Sequence, residues 1–412
     1  MNIDDAIAQE NLATNGGKKR RPEWLTRNLF TLSWVSFLQD AASEMLYPIL
    51  PIFLNTVLGA PAAIVGAIEG AAEGTAAATK LASSWLNRFM PRKLMVLLGY
   101  SGAALGKILV ALAGIWPMVL TGRVVDRLGK GMRSASRDSL LVQGVSSGAR
   151  GRVIGFHRSA DTFGAVLGPL LALGLLAVFN NEIRPVLWVA VIPAVLSTLL
   201  VLLVRDDQPK QPKVVVPAAH DGNGAVVKPT SPMTANLRTA LSVIVGFSMI
   251  NFPDALLVLH LSQIGFTLPE VIGAYLIFNI SYAVLNFPAG LLSDRFKPNQ
   301  VYAIGMLLFA IAYGGMAFTS DPTISIALMV VYGAYSAVND TVGKSWISKL
   351  APDDRQMWAQ SLLQGFSGFA ILFAGIWAGL AWTLGAGAGV IPLAVSGASA
   401  LVFAVVMATR KF

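Results

Sequence analysis

The 412-residue sequence contains no cysteine, only three histidines and only 13% charged residues. Without cysteine there is neither a disulfide framework nor a thiolate metal site. The three histidines are scattered, and no Ser/His/Asp constellation or metal-ligand cluster stands out. An enzymatic role is therefore not expected. Soluble domains carry about 25% charged residues, and about half of that leaves too few polar groups to cover a soluble surface. Disorder is excluded for the opposite reason. It requires low hydrophobicity with high net charge, whereas 55% of these residues are hydrophobic and the mean hydropathy is +0.63. What remains is a polytopic membrane protein.

A helix needs about 20 apolar residues to cross about 30 Å of hydrocarbon. Stretches of that kind lie near 28–55, 62–86, 93–113, 116–140, 153–179 and 185–204, and again near 238–264, 270–292, 299–319, 323–347, 357–383 and 390–409. The expected fold is an all-α membrane protein of twelve transmembrane helices in two pseudo-symmetric six-helix bundles. A polar N-terminal tail (1–27) precedes the first bundle (28–204). A linker rich in Asp, Lys, Pro and Gly (205–237) leads to the second (238–412). The tail lacks the apolar core of a signal peptide.

Positive charge is distributed unevenly. An even number of spans puts both termini on one side. That side carries Lys18 to Arg21, Arg88, Arg92, Lys93, Arg150, Arg152, the linker bases, Arg295, Lys297, Lys349, Arg355, Arg410 and Lys411, while the other side has only Arg184. The positive-inside rule then makes both termini cytoplasmic, in a multi-pass protein of a bacterial-type cytoplasmic (inner) membrane. The net charge of +9 is largely a topology signal, and nucleic acid is not an expected partner.

The halves share a weak repeat: Asn87-Arg88 after the second span matches Asp294-Arg295 after the eighth, and Gly66 and Gly273 recur at the same separation. Parallel repeats of six helices place a substrate site between the halves at mid-membrane. Asp294 and Arg295 occupy a span exit, where a carboxylate can pair with a base or a helix N-terminus and latch one conformation. The alternative is a solvated turn. Asn87 lacks the charge, so a latch with Arg88 should be weaker. Gly164, Gly168 and Pro169 let the fifth span bend or approach a neighbour closely, and plain tight packing is the competing reading.

The chain resembles the major facilitator superfamily over essentially its full length. The resemblance rests on Gly290-Leu-Leu-Ser-Asp294-Arg295-Phe-Lys297 and its degraded counterpart Ser83-Ser-Trp-Leu-Asn87-Arg88. It rests also on Arg123-Val-Val-Asp126-Arg127-Leu-Gly129-Lys130-Gly131, Arg150-Gly151-Arg152 and Gly164-Ala-Val-Leu-Gly168-Pro169. The last is similar to a signature associated with antiporters. Gly122 to Asp138, with His157, Arg158 and Asp161, resembles a poorly characterised bacterial subgroup, similar to drug/proton antiporters, to which no substrate attaches. The resemblance implies that spans one, four, seven and ten line the cavity, favouring Asp40, Glu44, Arg123, Arg127, Asp254 and Asp340.

Ionisable groups inside spans cost about 2.5–3.5 kcal/mol each on the insertion scale and face a bundle interior or a water-filled cavity. On span one, Asp40, Glu44 and Tyr47 fall within roughly 60° of each other. Span two carries Glu69 and Glu73, with Lys80 on the same face. Span four carries Arg123, Asp126, Arg127, Lys130, Arg133, Arg137 and Asp138 on an arc of roughly 140°. Span five carries His157, Arg158 and Asp161. Three readings compete. Acids of spans one, two and five neutralise bases of four and five structurally. Or carboxylates change protonation as their surroundings alternate, with Asp40, Glu44, Glu69, Glu73, Arg123, Asp126 and Asp161 as the coupling set. Or Arg123, Arg127 and Lys130 bind an anionic group. A proton-relay role for His157 competes with a merely interfacial one. In the second half, Asn251, Asn279, Tyr282 and Asn339 join Asp254 and Asp340 as candidate cavity residues, or they bond between helices.

Gly343-Lys344-Ser345 lacks the earlier glycine of a phosphate loop, because position 338 is Val, and Gly385-Ala-Gly387-Ala-Gly389 reads as a loop. The expectation is a secondary transporter. It acts as a monomer among membrane lipids, takes protons and a small-molecule substrate as partners, and needs no cofactor beyond the proton gradient. Export by antiport leads. Uptake of an organic anion by symport is the alternative, and a receptor or lipid-moving scaffold is a third reading.

Overall fold

The computed structural model describes residues 25–86, 89–143, 145, 150–206, 233–352, 356–384 and 387–409, and these contain helices and no strand. Most of the expected tail and linker, Asn87 and Arg88, and the side chain of Asp294 lie outside the described residues. Thirteen helices of ten residues or more follow in order: α1 (Arg27–Leu46), α2 (Ala62–Leu86), α3 (Arg92–Leu112), α4 (Trp116–Leu141), α5 (Arg150–Val178), α6 (Ile183–Val201), α7 (Ala235–Ser248), α8 (Asp254–Gln263), α9 (Leu268–Arg295), α10 (Pro298–Phe318), α11 (Pro322–Leu350), α12 (Gln356–Leu380) and α13 (Val390–Thr409). Side-chain caps set several starts. The Thr26 hydroxyl accepts from the Leu29 amide at 3.1 Å, Thr234 from Leu237 at 3.2 Å, and Asp321 from Ile324 at 3.0 Å.

Eight helices (α3, α5, α6 and α9–α13) are long and apolar enough to cross a membrane. The remaining expected spans differ for physical reasons. Helix α4 carries its seven charged residues between Arg123 and Asp138. The first and seventh expected spans are interrupted. After α1, Pro48 and Pro51 lack the N–H donors that would continue the ladder. The chain turns at Tyr47–Ile49, resumes as one turn at Leu50–Ile52 and ends in a wider π turn at Phe53–Val57. The seventh breaks at 249–253, where Pro253 disfavours helix in the residue before it.

The break leaves carbonyls that would be costly in hydrocarbon. Other helices supply the donors. Trp377 Nε1 of α12 donates to Met249 O at 2.8 Å, Ser396 Oγ of α13 to Ile250 O at 2.8 Å, and Tyr313 OH of α10 to Phe252 O at 3.3 Å.

Helices α1–α6 pack chiefly on one another, through α3 on α4, α1 on α5 and α6, and α2 on α4. Helices α7–α11 and α13 do likewise, through α10 on α13 and α11, and α9 on α11, whereas α12 packs chiefly on α2. The two groups meet mainly along α2 against α12, and less along α5 against α9. Trp34, Phe163, Ile192, Ile304, Phe373 and Val402 stand between 51% and 64% exposed around the outside. The interior is mainly apolar as well, but it also holds the buried charged residues Glu69, Lys107, Arg123, Asp126, Arg127 and Arg133.

Candidate functional site

Helix α4 turns its charged face inward. Arg123 Nη2 lies 2.5 Å from Glu69 Oε2, and Arg127 Nη2 lies 3.2 Å from Glu73 Oε1, so both α2 acids meet α4 bases. Asp126 is flanked by Arg123 at 3.9 Å and by Lys107 Nζ of α3 at 3.7 Å. Glu69, Lys107, Arg123, Asp126 and Arg127 are all buried. Lys107 was not legible as a partner, although a lone lysine inside an apolar span is itself a signal of one. Glycines bring it there: a Cβ on Gly106 would sit 2.4 Å from Gly122 O, so α3 and α4 touch backbone to backbone. Toward the C-terminal end of α4, Arg133 donates to Gly99 O at 3.2 Å and lies 4.4 Å from the Tyr100 ring centre. Arg137 donates to Ser36 Oγ and Asp138 Oδ1, each at 3.0 Å. Lys130 is exposed and has no hydrogen bond or ion pair from its ammonium among the described residues.

A second polar line follows the parallel contact of α1 with α5. His157 is buried, with Ser33 Oγ 3.4 Å from Nδ1, Ser36 Oγ 3.4 Å from Nε2 and Asp161 Oδ1 3.6 Å from Nε2. One turn on, a Cβ on Gly164 would lie 3.3 Å from Asp40 Cβ. Another turn on, a Cβ on Gly168 would lie 2.8 Å from Glu44 Cβ. These two glycines therefore provide the close approach in which Asp40 and Glu44 sit. Pro169 lies inside α5. Asp40 has no hydrogen bond or ion pair among the described residues, and Glu44 accepts from Tyr275 OH at 2.9 Å.

The C-terminal group holds a cavity of about 300 Å³ open to solvent, lined by Asn251, Asp254, Asn279, Tyr282, Asn339 and Asp340. All six are candidates named from the sequence. Tyr275, Phe278, Tyr332 and Tyr335 add an aromatic wall that sequence reasoning missed. Its signal was available in the helical spacing of Tyr275, Phe278 and Tyr282, and of Tyr332, Tyr335 and Asn339. Tyr332 OH donates to Asp254 at 2.5 Å, Tyr282 OH to Asp340 at 3.1 Å, and Tyr302 OH to Asn339 at 2.6 Å. Lys344 Nζ lies 2.5 Å from Asp340, and both side chains are nearly half exposed. Asn251 Oδ1, Asn279 Nδ2 and Tyr335 OH are buried without a hydrogen-bond partner.

The groups close against each other on the far face, where α1 ends and α9 begins. Tyr47 stacks on Tyr275 with ring centres 5.5 Å apart, the Arg123 guanidinium lies 5.8 Å from the Tyr47 ring, and α8 packs on Leu50–Ile52 and α2. The α2/α12 seam is closest of all, for a Cβ on Gly66 would stand 2.3 Å from Gly375 O. Gly273, its counterpart in the repeat, faces open space. Arg184, the lone base expected in the opposite loops, instead donates to Ala111 O at 3.3 Å and Ala113 O at 2.9 Å, capping α3. At the expected latch, Arg295 is exposed at the end of α9.

Long apolar helices, an apolar exterior and charged side chains buried within two helix groups define a multi-pass membrane protein of the transporter type. The family model described as Major Facilitator Superfamily matches residues 32–278 and 239–411. The chain belongs to that superfamily. An uncharacterized MFS-type transporter of Methanocaldococcus jannaschii is 27% identical over 385 residues, covering 92% of this chain and 93% of its own. Among solved structures, a variant of the peptide transporter POT superposes with a TM-score of 0.74 at 17% identity, covering 92% of this chain and 93% of that one. A D-xylose-proton symporter superposes with a TM-score of 0.74 at 14% identity, covering 92% and 96%. These relatives are transporters, not enzymes.

Proposed function

We propose that the protein is a proton-coupled secondary transporter that exports a small organic solute by antiport. In this reading twelve spans form two six-helix halves that rock about the α2/α12 seam, with both termini in the cytoplasm and the cavity alternately open to each side. The divided first and seventh spans count as one crossing each. The protein works as a monomer in the lipid of the cytoplasmic membrane and draws on the proton gradient with no bound cofactor.

The observation that carries the reading is how the charges are partnered. The α4 bases Arg123 and Arg127 meet α2 acids, and Lys107 meets Asp126. The carboxylates of Asp40, Glu44 and Asp254 have no basic partner within salt-bridge distance among the described residues. A buried carboxylate without a cation is costly in its charged form. It is relieved by a proton or by a cationic solute. Glu69, Glu73 and Asp126 thus belong to a fixed ion-pair frame, while Asp40, Glu44 and Asp161 carry protons. The aromatic wall beside Asp254 suits a solute with a ring face and an amine or hydroxyl groups. Organic-anion uptake rests on Lys130 alone.

The test begins with a thermal-shift screen of purified protein over organic ammonium ions, polyols and carboxylic acids. Transport of the stabilising compound is then followed in proteoliposomes under an imposed pH gradient. Stabilisation by ammonium ions or polyols, with flux opposite to protons, supports the proposal. Stabilisation by acids alone, or flux alongside protons, refutes it.

A further inference from the structure

Three acids recur at one-turn intervals along the α1/α5 seam. Asp161 lies on α5 one turn past His157, Asp40 sits against Gly164, and Glu44 sits against Gly168. Successive members are spaced by about one helical turn, about 5.4 Å, along the axis of the seam. At one end the Asp161 side chain is 17% exposed, and its Oδ1 has no hydrogen-bond partner. At the other end Glu44 accepts the Tyr275 hydroxyl of the opposite group at 2.9 Å.

We infer that this seam is a proton file: the His157–Asp161 pair exchanges protons with water on the face of the termini, Asp40 relays them, and Glu44 is the terminus. The inference rests on the proton-coupled reading above and deepens it. Each step moves one proton. A carboxylic O–H breaks as an O–H forms on the next acid, or an N–H forms on His157 Nε2, and no electron changes hands. Discharge toward the face of the termini leaves Glu44 ionised, so the Tyr275 hydrogen bond is charge-assisted and about twice as strong as a neutral one. That bond holds the far face shut. Protonation of Glu44 loosens it.

The surroundings suit a relay rather than an ion pair. Asp40 feels Lys107 of α3 and Lys130, Arg133 and Arg137 of α4. Glu44 feels Arg127 and Lys130 of α4, Asp40 of α1 and Tyr275 of α9. Asp161 feels Asp40, Arg137 and Arg158, and His157 feels Arg137 and Arg158 together with Asp161. None of these bases lies within salt-bridge distance of Asp40, Glu44 or Asp161, apart from the His157 ring at 3.6 Å from Asp161. These charges surround the seam without pairing with its acids. The glycines at 164 and 168 then have a second purpose, because a side chain at either would drive Asp40 or Glu44 from the seam.

The experiment needs no substrate, and the absence of native cysteine makes labelling specific. Val57→Cys and Thr267→Cys, one in each group on the far face, carry a fluorescent donor and acceptor in nanodiscs. A stopped-flow drop from mildly alkaline to mildly acidic pH then reports opening. The labelled parent should open on acidification. Glu44→Gln should be open at every pH, with no response. Asp161→Asn and His157→Gln should reach the parent's end point at least about tenfold more slowly, as loss of a proton-transfer group predicts, and Asp161→Glu should restore the rate. Opening of Asp161→Asn or His157→Gln at the parent's rate overturns the file. So does a shifted end point with an unchanged rate, which marks a merely structural residue. A parent that ignores pH refutes proton coupling itself, a separate failure.

Discussion

The Glu69–Arg123 pair offers a decisive perturbation of the ion-pair frame. Both residues are at most 6% exposed, and they meet at 2.5 Å. Glu69→Leu leaves the guanidinium with Asp126 at 3.9 Å as its remaining acid, and Asp126 already faces Lys107 at 3.7 Å. Arg123 Nε has no hydrogen-bond partner to compensate. Removing one partner of a buried pair costs about 3–5 kcal/mol, whereas replacing both by apolar residues of similar volume is often neutral or better. Glu69→Leu and Arg123→Met should each therefore lose about 3–5 kcal/mol of stability. The double variant should return to within about 1 kcal/mol of the parent, because the Lys107–Asp126 and Arg127–Glu73 pairs remain balanced. Unfolding in mixed detergent micelles, followed by tryptophan fluorescence, measures all three. Single costs below about 1 kcal/mol that simply add in the double variant would refute the frame and return Glu69 to the candidates for proton carrier.

Two further outcomes follow from the contact between the groups. Gly375→Ala places a methyl 2.4 Å from Gly66 O and should cost about 1–3 kcal/mol in the same unfolding assay, while Gly273→Ala, facing open space, should cost almost nothing. Equal costs would show that the α2/α12 seam is not the tight contact. Tyr275→Phe removes the hydroxyl donated to Glu44 at 2.9 Å, a bond to a charged group worth about 1.5–3 kcal/mol. Alkylation of an introduced Ile52→Cys, buried at the far face, should then speed up about tenfold or more; an unchanged rate would remove Tyr275 from the closure.

The helices themselves were largely legible, because membrane spans announce themselves by length and apolarity. Residues 62–86 and 390–409 match α2 and α13 end to end. The breaks in the first and seventh spans were signalled by Pro48, Pro51 and Pro253, but continuous apolar character masked them. In the site, spacing placed Asp40, Glu44, Glu69 and Glu73 on shared faces, and cavity lining by Asp254 and Asp340 followed from resemblance. Pairing was not readable. Whether Asp126 meets Arg123 or Lys107 depends on how closely α3 crosses α4, and Gly106 and Gly122 set that distance. The neutralisation of Arg123 and Arg127 was one of three open readings, since facing side chains on separate spans leave no trace in either span's periodicity.

The break between α7 and α8 has a consequence for how this sequence can change. Its three exposed carbonyls are served by Trp377, Ser396 and Tyr313, side chains of three other helices. What each of those positions tolerates is decided by a gap on a helix to which it does not belong. A substitution that restored continuous helix across residues 249–253 would take the acceptors from all three donors at once, two of which, on Ser396 and Tyr313, are fully buried. Straightening that segment would therefore demand simultaneous replacements on α10, α12 and α13, so the bend is protected by the number of changes needed to undo it.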